Sequence, residues 1–308
     1  MAERRPEASG MIGIVTVTFN SESVLPEFLD SLTAQTDRNW ILYVVDNASG
    51  DSTLELCRAA ENIPQVTIAN AKNLGVAEGN NQGIRKALAD GCDSILLLNN
   101  DTILAPDLLE KLRSGLGLYN CDMTTCKIYY ANPPDLLWCA GGRFKWWRGY
   151  SSAHDGGEEK DRGQYDTPRR IDYCPTCCLL ARKSVFERAG MMDDQYFAYY
   201  DDTDFLLRCR KLGLTLWYLP QGNLWHKVSS LTSATSDFTA RQYARNYVYF
   251  VRKHLPGWRA HLWAWIDQLK FALSVVLGRS SIARWRLRRA AAREGWQMPL
   301  PRPDATEL

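Results

Sequence analysis

Ser94-Ile95-Leu96-Leu97-Leu98-Asn99-Asn100-Asp101-Thr102 sets a run of large apolar residues directly against two amides, a carboxylate and a hydroxyl. A short apolar run bounded by turn formers reads as a buried parallel strand. The residues after it then stand at the strand's carboxyl end, where open α/β sheets hold their ligands. Taken alone, an asparagine-rich turn with a capping aspartate explains the same residues. The rest of the chain has to decide.

Working outward, 11–20 is a β-branched run that ends in Thr18 and Asn20, polar groups able to meet a ligand at a strand tip. Ser23 reads as an N-cap, followed by a helical stripe of Leu25, Phe28, Leu29 and Leu32. A second apolar strand, 41–45, runs into Asp46-Asn47-Ala48-Ser49-Gly50-Asp51. Gly50 and Asp51 are plain turn and cap residues, but Asp46 precedes the turn proper and asks for another reason. A third strand, 65–69, leads to the glycine- and amide-rich segment 70–84, which must also enter a helix. Glycines at a helix start let the backbone approach a phosphate closely. The segment matches neither G-x-G-x-x-G nor the P-loop.

Four strands alternating with helices within 110 residues predict a parallel sheet with right-handed crossovers. Thr18/Asn20, Asp46 and Asn99/Asp101 then fall on one sheet edge. That coincidence outweighs any single motif.

Later segments are less regular. Gly141-Gly142-Arg143-Phe144-Lys145-Trp146-Trp147-Arg148-Gly149 reads either as a hairpin beside a substrate, its tryptophans stacking on sugar rings, or as a packed surface hairpin. Residues 171–182 read as strand, and 216–219 as a last short strand ending at Pro220. Between them, Asp201-Asp202-Thr203-Asp204 opens an amphipathic helix with three carboxylates in four residues. Capping explains one or two of them, and a base held beside a substrate explains the remainder. His226 follows the last strand, where it is either structural or within reach of a metal.

The bulk numbers bound the rest. A chain of 308 residues can bury a large core. Its net charge of +2 hides an asymmetry, because residues 238–308 carry 13 Lys/Arg against 4 Asp/Glu. No signal peptide or membrane-spanning run is expected, since Asp267 and Lys270 interrupt the most apolar stretch, 262–277. Nine cysteines without a secretion signal read as reduced cytosolic thiols. A zinc site from Cys121, Cys126, Cys174 and Cys177 is disfavoured by their irregular spacing.

With these residues in view, the sequence resembles the family 2 glycosyltransferases of the GT-A fold, in particular their rhamnosyltransferase-like branch. The resemblance rests on 17–20, 44–51, Asn73-Leu74-Gly75 with 79–83, 97–102, 201–204 and 226–230, in the family's order and spacing. It implies an α/β GT-A nucleotide-diphospho-sugar transferase fold, with a mostly parallel central sheet flanked by helices and a C-terminal helical extension. The implied organisation is a disordered 1–10, a catalytic domain over 11–237 and a basic amphipathic tail over 238–308. Within the domain, 11–105 would bind the nucleotide sugar and 106–237 the acceptor. Thr18, Asn20, Asp46, Asn73, Gly75, Asn99 and Asp101 would hold the nucleotide sugar. Asp101 and His226 would bind Mg²⁺ or Mn²⁺, and Asp202 would be the catalytic base of an inverting transfer. Two departures stand out: Asn99 where many relatives carry aspartate, and Asp201 where glutamate is usual.

The expected donor is a dTDP-, UDP- or GDP-sugar, with rhamnose on dTDP the branch's own, and the expected acceptor is a glycan or a polyprenyl-diphosphate-linked sugar. A catalytically inactive sugar-nucleotide-binding scaffold and a sugar nucleotidyltransferase are the competing functions. In the tail, Leu262, Trp265, Ile266, Leu269, Leu273 and Val276 share one helical face, with Arg284, Arg286, Arg288 and Arg289 following. This pattern suits the cytoplasmic face of a membrane, with packing on the body or an oligomer partner as the alternative. Nucleic acid is not expected, because no recognition motif accompanies the arginines.

Overall fold

The structure is a computed structural model and describes residues 10–228 and 236–301. The expected disordered segment 1–10 therefore lies outside the described residues except for Gly10, as do Ser229 and Ser230.

The first half alternates as read: β1 (Ile12–Thr18), α1 (Leu25–Thr33), β2 (Trp40–Asp46), α2 (Thr53–Ala59), β3 (Gln65–Ala69), α3 (Val76–Ala89) and β4 (Ser94–Leu98). Strands β4, β1, β2 and β3 lie side by side in that order, every pair parallel. Alternate strand residues feed two cores. Ile14, Leu42 and Leu96 pack with α1 and α2 on one face. Val15, Tyr43 and Leu97 pack with α3 on the other. This two-sided burial is why the strands read as continuous apolar runs.

The second half is mixed. It contains β5 (Thr102–Leu104), α4 (Leu108–Leu118), β6 (Met123–Tyr130), β7 (Leu136–Cys139), β8 (Gly142–Lys145), β9 (Ser151–His154), β10 (Glu159–Lys160) and β11 (Arg169–Ile171). Next come β12 (Cys178–Arg182), α5 (Lys183–Ala189), α6 (Asp201–Lys211) and β13 (Leu216–His226). Strand β12 joins the halves by pairing antiparallel with both β4 and β6. The stretch 171–182 is thus two strands rather than one. Strand β13 does not stop at Pro220: it runs on to His226, with its register against β6 shifting between Leu219 and Asn223. Proline is tolerated at such a shift because its missing N–H costs no ladder bond.

The glycines of 70–84 also find a use other than the expected one. A β-carbon on Gly83 would stand 2.4 Å from Val15 Cγ1, and one on Gly79 would stand 2.8 Å from Val17 Cγ1. They bring α3 onto β1. All nine cysteines are free and buried, as small apolar residues would be.

Three helices follow: α7 (Asp237–His254), α8 (Gly257–Val276) and α9 (Ile282–Gln297). Tyr249, Phe250 and Val251 of α7 are fully buried in the α3 side of the core. Helix α8 keeps only Ala260 and Ala264 buried. Among the described residues no helix is long and apolar enough to cross a membrane.

Candidate active site

The strand ends assemble the site. Asn99 N donates to Cys177 O (3.2 Å), closing the β4 tip against β12. Asn100 Nδ2 donates to Val17 O (2.8 Å), and Thr102 Oγ1 to Asn99 O (2.6 Å), so the turn is held from both sides. Pairing of β13 with β5 sets His226 opposite Thr102, and Lys227 N donates to Asp101 O (2.8 Å). That register brings His226 Nε2 to 3.1 Å from Asp101 Oδ1. The two residues are 125 positions apart in sequence and meet because of one strand pair. His226 Nδ1 is buried without a hydrogen-bond partner among the described residues.

A cleft of about 590 Å³ opens beside this pair. Asn99, His226 and Asp202 line it. Its floor is a run of rings: His226 meets Trp138 edge-on (4.6 Å), Trp138 meets His154 edge-on (5.1 Å), and His154 stacks on Tyr173 (5.7 Å). Tyr173 Oη then donates to Asp202 Oδ2 (2.7 Å). The other Asp202 oxygen accepts from Thr203 N (2.6 Å). Burial pushes the Tyr173 phenol well up, and the Asp202 charge adds to this, so Tyr173 keeps its proton and remains the donor. Burial likewise lowers His154, against the pull of Asp202, and keeps its imidazole neutral.

The three acids of 201–204 part company. Asp202 faces the cleft. Asp201 is buried beside it, and burial together with the Asp202 charge raises its carboxyl far above the ordinary range. Of the two adjacent acids, Asp201 is therefore the one whose burial favours the protonated form. Asp204 is fully buried and turned to α7, where Arg208 Nε (2.9 Å), Lys253 Nζ (2.8 Å) and His254 Nε2 (2.7 Å) surround it. It is structural.

The turn that delivers these acids is strained. Tyr199 and Tyr200 take φ of 67° and 71°, left-handed values that cost a side-chain-bearing residue. Buried Asn246 of α7 donates through Nδ2 to both Ala198 O and Tyr199 O (2.8 Å each) and holds the turn from behind. Phe238 and Tyr243 of α7 also line the cleft, so the tail completes its wall.

The remaining expected residues gather at the neighbouring strand tips, outside that cleft. Asp46 is fully buried and accepts from Thr18 Oγ1 (2.9 Å) and Ser49 N (3.0 Å), while Asn20 Oδ1 accepts from Gly50 N (2.8 Å). Asn73 Oδ1 accepts from Gly75 N (2.9 Å). Gly75 has φ of 85°, and a β-carbon there would stand 2.5 Å from Phe197 O, so this loop is keyed to the turn carrying Asp202. The tryptophan hairpin forms as β8 and β9, but its tip points elsewhere: Trp146 and Trp147 are exposed, and Arg259 of α8 donates to Trp146 O (3.3 Å). Ser151, Ser152 and His154 on its return strand line the cleft instead. Trp138, His154 and Tyr173 were missed in the sequence because no local pattern marks them. The tyrosine pair before Asp201 was the one available signal for the strained turn.

Among the described residues no three His, Cys, Asp or Glu side chains form a metal cluster. The Asp101 carboxylate and His226 imidazole, with Oδ1 and Nε2 3.1 Å apart, fit two neighbouring ligands of a divalent cation whose other ligands would be diphosphate oxygens.

A mixed α/β sheet that sets His226, with Asp101 behind it, and the helix-end Asp202 around one cleft is the architecture of a GT-A nucleotide-diphospho-sugar transferase fold, and solved structures of that fold align with it. The chain belongs to glycosyl transferase family 2, whose profile matches residues 13–189. It is 27% identical over 311 residues to the N-acetylglucosaminyl-diphospho-decaprenol L-rhamnosyltransferase of Mycobacterium tuberculosis, covering 92% of this chain and 98% of that one. It is 25% identical to the dTDP-rhamnosyl transferase RfbF of Shigella flexneri, over 70% of this chain and 68% of that one. Among solved structures, the mannosyltransferase PcManGT of Pyrobaculum calidifontis, in complex with GDP-Man and Mn²⁺, aligns over 95% of this chain and 86% of its own (TM-score 0.58, 14% identity). GalNAc-T7 with UDP, GalNAc and Mn²⁺ aligns over 94% of this chain and 56% of its own (TM-score 0.65, 14% identity).

Proposed function

We propose that this glycosyltransferase moves a sugar, rhamnose on dTDP first among the candidates, from a nucleoside-diphosphate donor to a hydroxyl of a polyprenyl-diphosphate-linked sugar or glycan, with inversion. The observation that carries the reading is the shared cleft: the His226 imidazole, with Asp101 behind it, and the Asp202 carboxylate face one space. Thr18, Asn20, Asp46, Asn73 and Gly75 would hold the nucleotide at the adjoining strand tips, with Asn99 and Asp101 at the diphosphate. Residues 11–105 and 106–237 would thus serve donor and acceptor, with 238–308 as the tail.

Asp202 takes the acceptor hydroxyl's proton as that oxygen bonds to the anomeric carbon. The bond from that carbon to the diphosphate oxygen breaks in the same displacement, and the configuration inverts. Tyr173 and Thr203 hold the carboxylate in aim, and protonated Asp201 keeps a second charge out of the site. Mg²⁺ or Mn²⁺ at Asp101 and His226 would neutralise the charge developing on the leaving diphosphate. The exposed face of α8 supports peripheral contact with the cytoplasmic side of the membrane that holds such an acceptor.

Incubation with dTDP-, UDP- and GDP-sugars and Mn²⁺ tests the proposal. Nucleoside diphosphate should be released, and Asp202→Asn should slow this by about 10²- to 10⁴-fold while donor binding persists. Binding without turnover on every donor would leave the inactive scaffold.

A further inference from the structure

Behind the cleft lies a second cavity, of about 430 Å³, walled by α7, α8, α9 and the strained turn. Tyr200 and Tyr243 belong to both linings, so the two spaces are divided by a pair of aromatic side chains. The far wall carries Lys270, Asp267 and Arg288, with Tyr247 and Phe271 between them.

The cations there are incompletely matched. Arg288 is 8% exposed and lies flat on Phe271, its guanidinium carbon 3.4 Å from the ring centroid. Its Nη1 donates to Ala240 O at 3.3 Å, and its Nη2 stands 3.6 Å from the Asp267 carboxylate, beyond a good hydrogen bond. Its Nε is buried with no hydrogen-bond partner among the described residues. A guanidinium has five N–H donors, and burying one without an acceptor costs free energy. Burial raises the Asp267 carboxyl against the pull of Arg288 and Lys270, which weakens its claim as their counter-ion. Two cations and one reluctant acid leave the cavity positive, while its aromatic walls suit an apolar stem.

We infer that this cavity is an acceptor subsite that binds the phosphate of a lipid-linked phosphate ester through Lys270 and Arg288, with its stem against Tyr247 and Phe271 and its sugar passing Tyr200 and Tyr243 to Asp202. The inference rests on the proposed transfer and adds where its acceptor is held. Helix α8 lines this cavity with one face and exposes Trp258, Leu262, Trp265 and Leu269 on the other, so an acceptor carried in a bilayer arrives beside the opening.

Farnesyl diphosphate, titrated calorimetrically into the full chain in EDTA, is the test. It should bind, and farnesol and inorganic diphosphate should each bind about tenfold more weakly, because one lacks the charge and the other the stem. Lys270→Gln and Arg288→Lys should each weaken farnesyl diphosphate by about tenfold, and Asp101→Asn should leave it unchanged. Lys270 is exposed, so its variant tests the site even where Arg288→Lys lowers the melting temperature. Equal binding by wild type and Lys270→Gln, or a loss confined to Asp101→Asn, overturns the subsite. Failure of the parent reading is separate: it is the absence of nucleoside diphosphate release by the wild type from any donor, an assay that contains no lipid-linked phosphate.

Discussion

Tyr199 and Tyr200 hold left-handed backbone immediately before Asp201 and Asp202, and each such residue costs about 1–3 kcal/mol unless its surroundings impose it. Asn246 is what imposes it, by capturing the carbonyls of Ala198 and Tyr199. Asn246→Ala should therefore let the turn relax and carry Asp202 off line, lowering kcat by about 10²-fold with little change in donor KM. A merely structural role would lower the melting temperature and leave kcat of the folded fraction intact. The metal pair makes a second residue-scale prediction. In the proposed site Asp101 and His226 would supply two ligands, and Asn99 would bring an amide where a carboxylate would strengthen the set. Mn²⁺ should bind the protein weakly by itself and tighten when nucleoside diphosphate is added; tight calorimetric binding in its absence would contradict the two-ligand site. Asn99→Asp should strengthen Mn²⁺ binding measured in the same way.

At the scale of elements, α6 is joined to α7 through Asp204. Burial alone would raise this carboxyl, but the His254 hydrogen bond, Arg208 and Lys253 hold it well below the ordinary range. His254 is itself lowered by burial, so its neutral ring donates from Nε2 to Asp204 and receives Lys211 at Nδ1 (3.1 Å). Because the folded-state value of Asp204 is depressed, its stabilisation is present above the unfolded value near pH 4 and is lost as pH falls through the folded one. Asp204→Asn removes the buried charge shared by Arg208, Lys253 and His254, with Asp193 left as the remaining carboxylate on Lys253, and should cost roughly 3–5 kcal/mol at pH 7. The melting-temperature gap from wild type should narrow below about pH 4. Gly83 gives the packing counterpart: with a β-carbon 2.4 Å from Val15, Gly83→Ala should destabilise by about 1–3 kcal/mol in urea titration. The sequence carried the parallel strands plainly, since burial on both faces writes itself as an unbroken apolar run, and β4 with its polar tip was legible on that basis. It did not carry the split between Asp202 and Asp204, which depends on where α7 lies. Nor did it carry β13 past Pro220, because proline reads as a stop unless a register shift is already known.

On the scale of the whole molecule, the tail divides between two solvents. Helix α7 is part of the core and of the cleft wall, which charge counting could not reveal, since its buried face and its basic face are close in sequence. Helix α8 is the reverse. Trp258, Leu262, Trp265, Leu269, Leu273 and Val276 form one exposed stripe, with Trp265 62% and Val276 82% exposed. The exposed Trp146 and Trp147 stand at its start, tied to Arg259, and exposed Arg279, Arg286 and Arg289 lie beyond its end. Tryptophan and leucine on one helix face beside arginines are the composition of an interfacial helix. Each arginine near an anionic surface contributes about 1 kcal/mol, roughly fivefold in partitioning, and that part is screened by salt. The full chain should thus co-sediment with phosphatidylglycerol vesicles, less with phosphatidylcholine, and less again in high salt. Trp265→Ser with Leu269→Ser should abolish sedimentation and leave turnover of a soluble acceptor unchanged, because neither residue lines the cleft. If the same stripe instead joins two copies, analytical ultracentrifugation will show a dimer that this double variant splits, with vesicle binding unaffected. That result would remove the membrane from the account and leave the chemistry in the cleft as it stands.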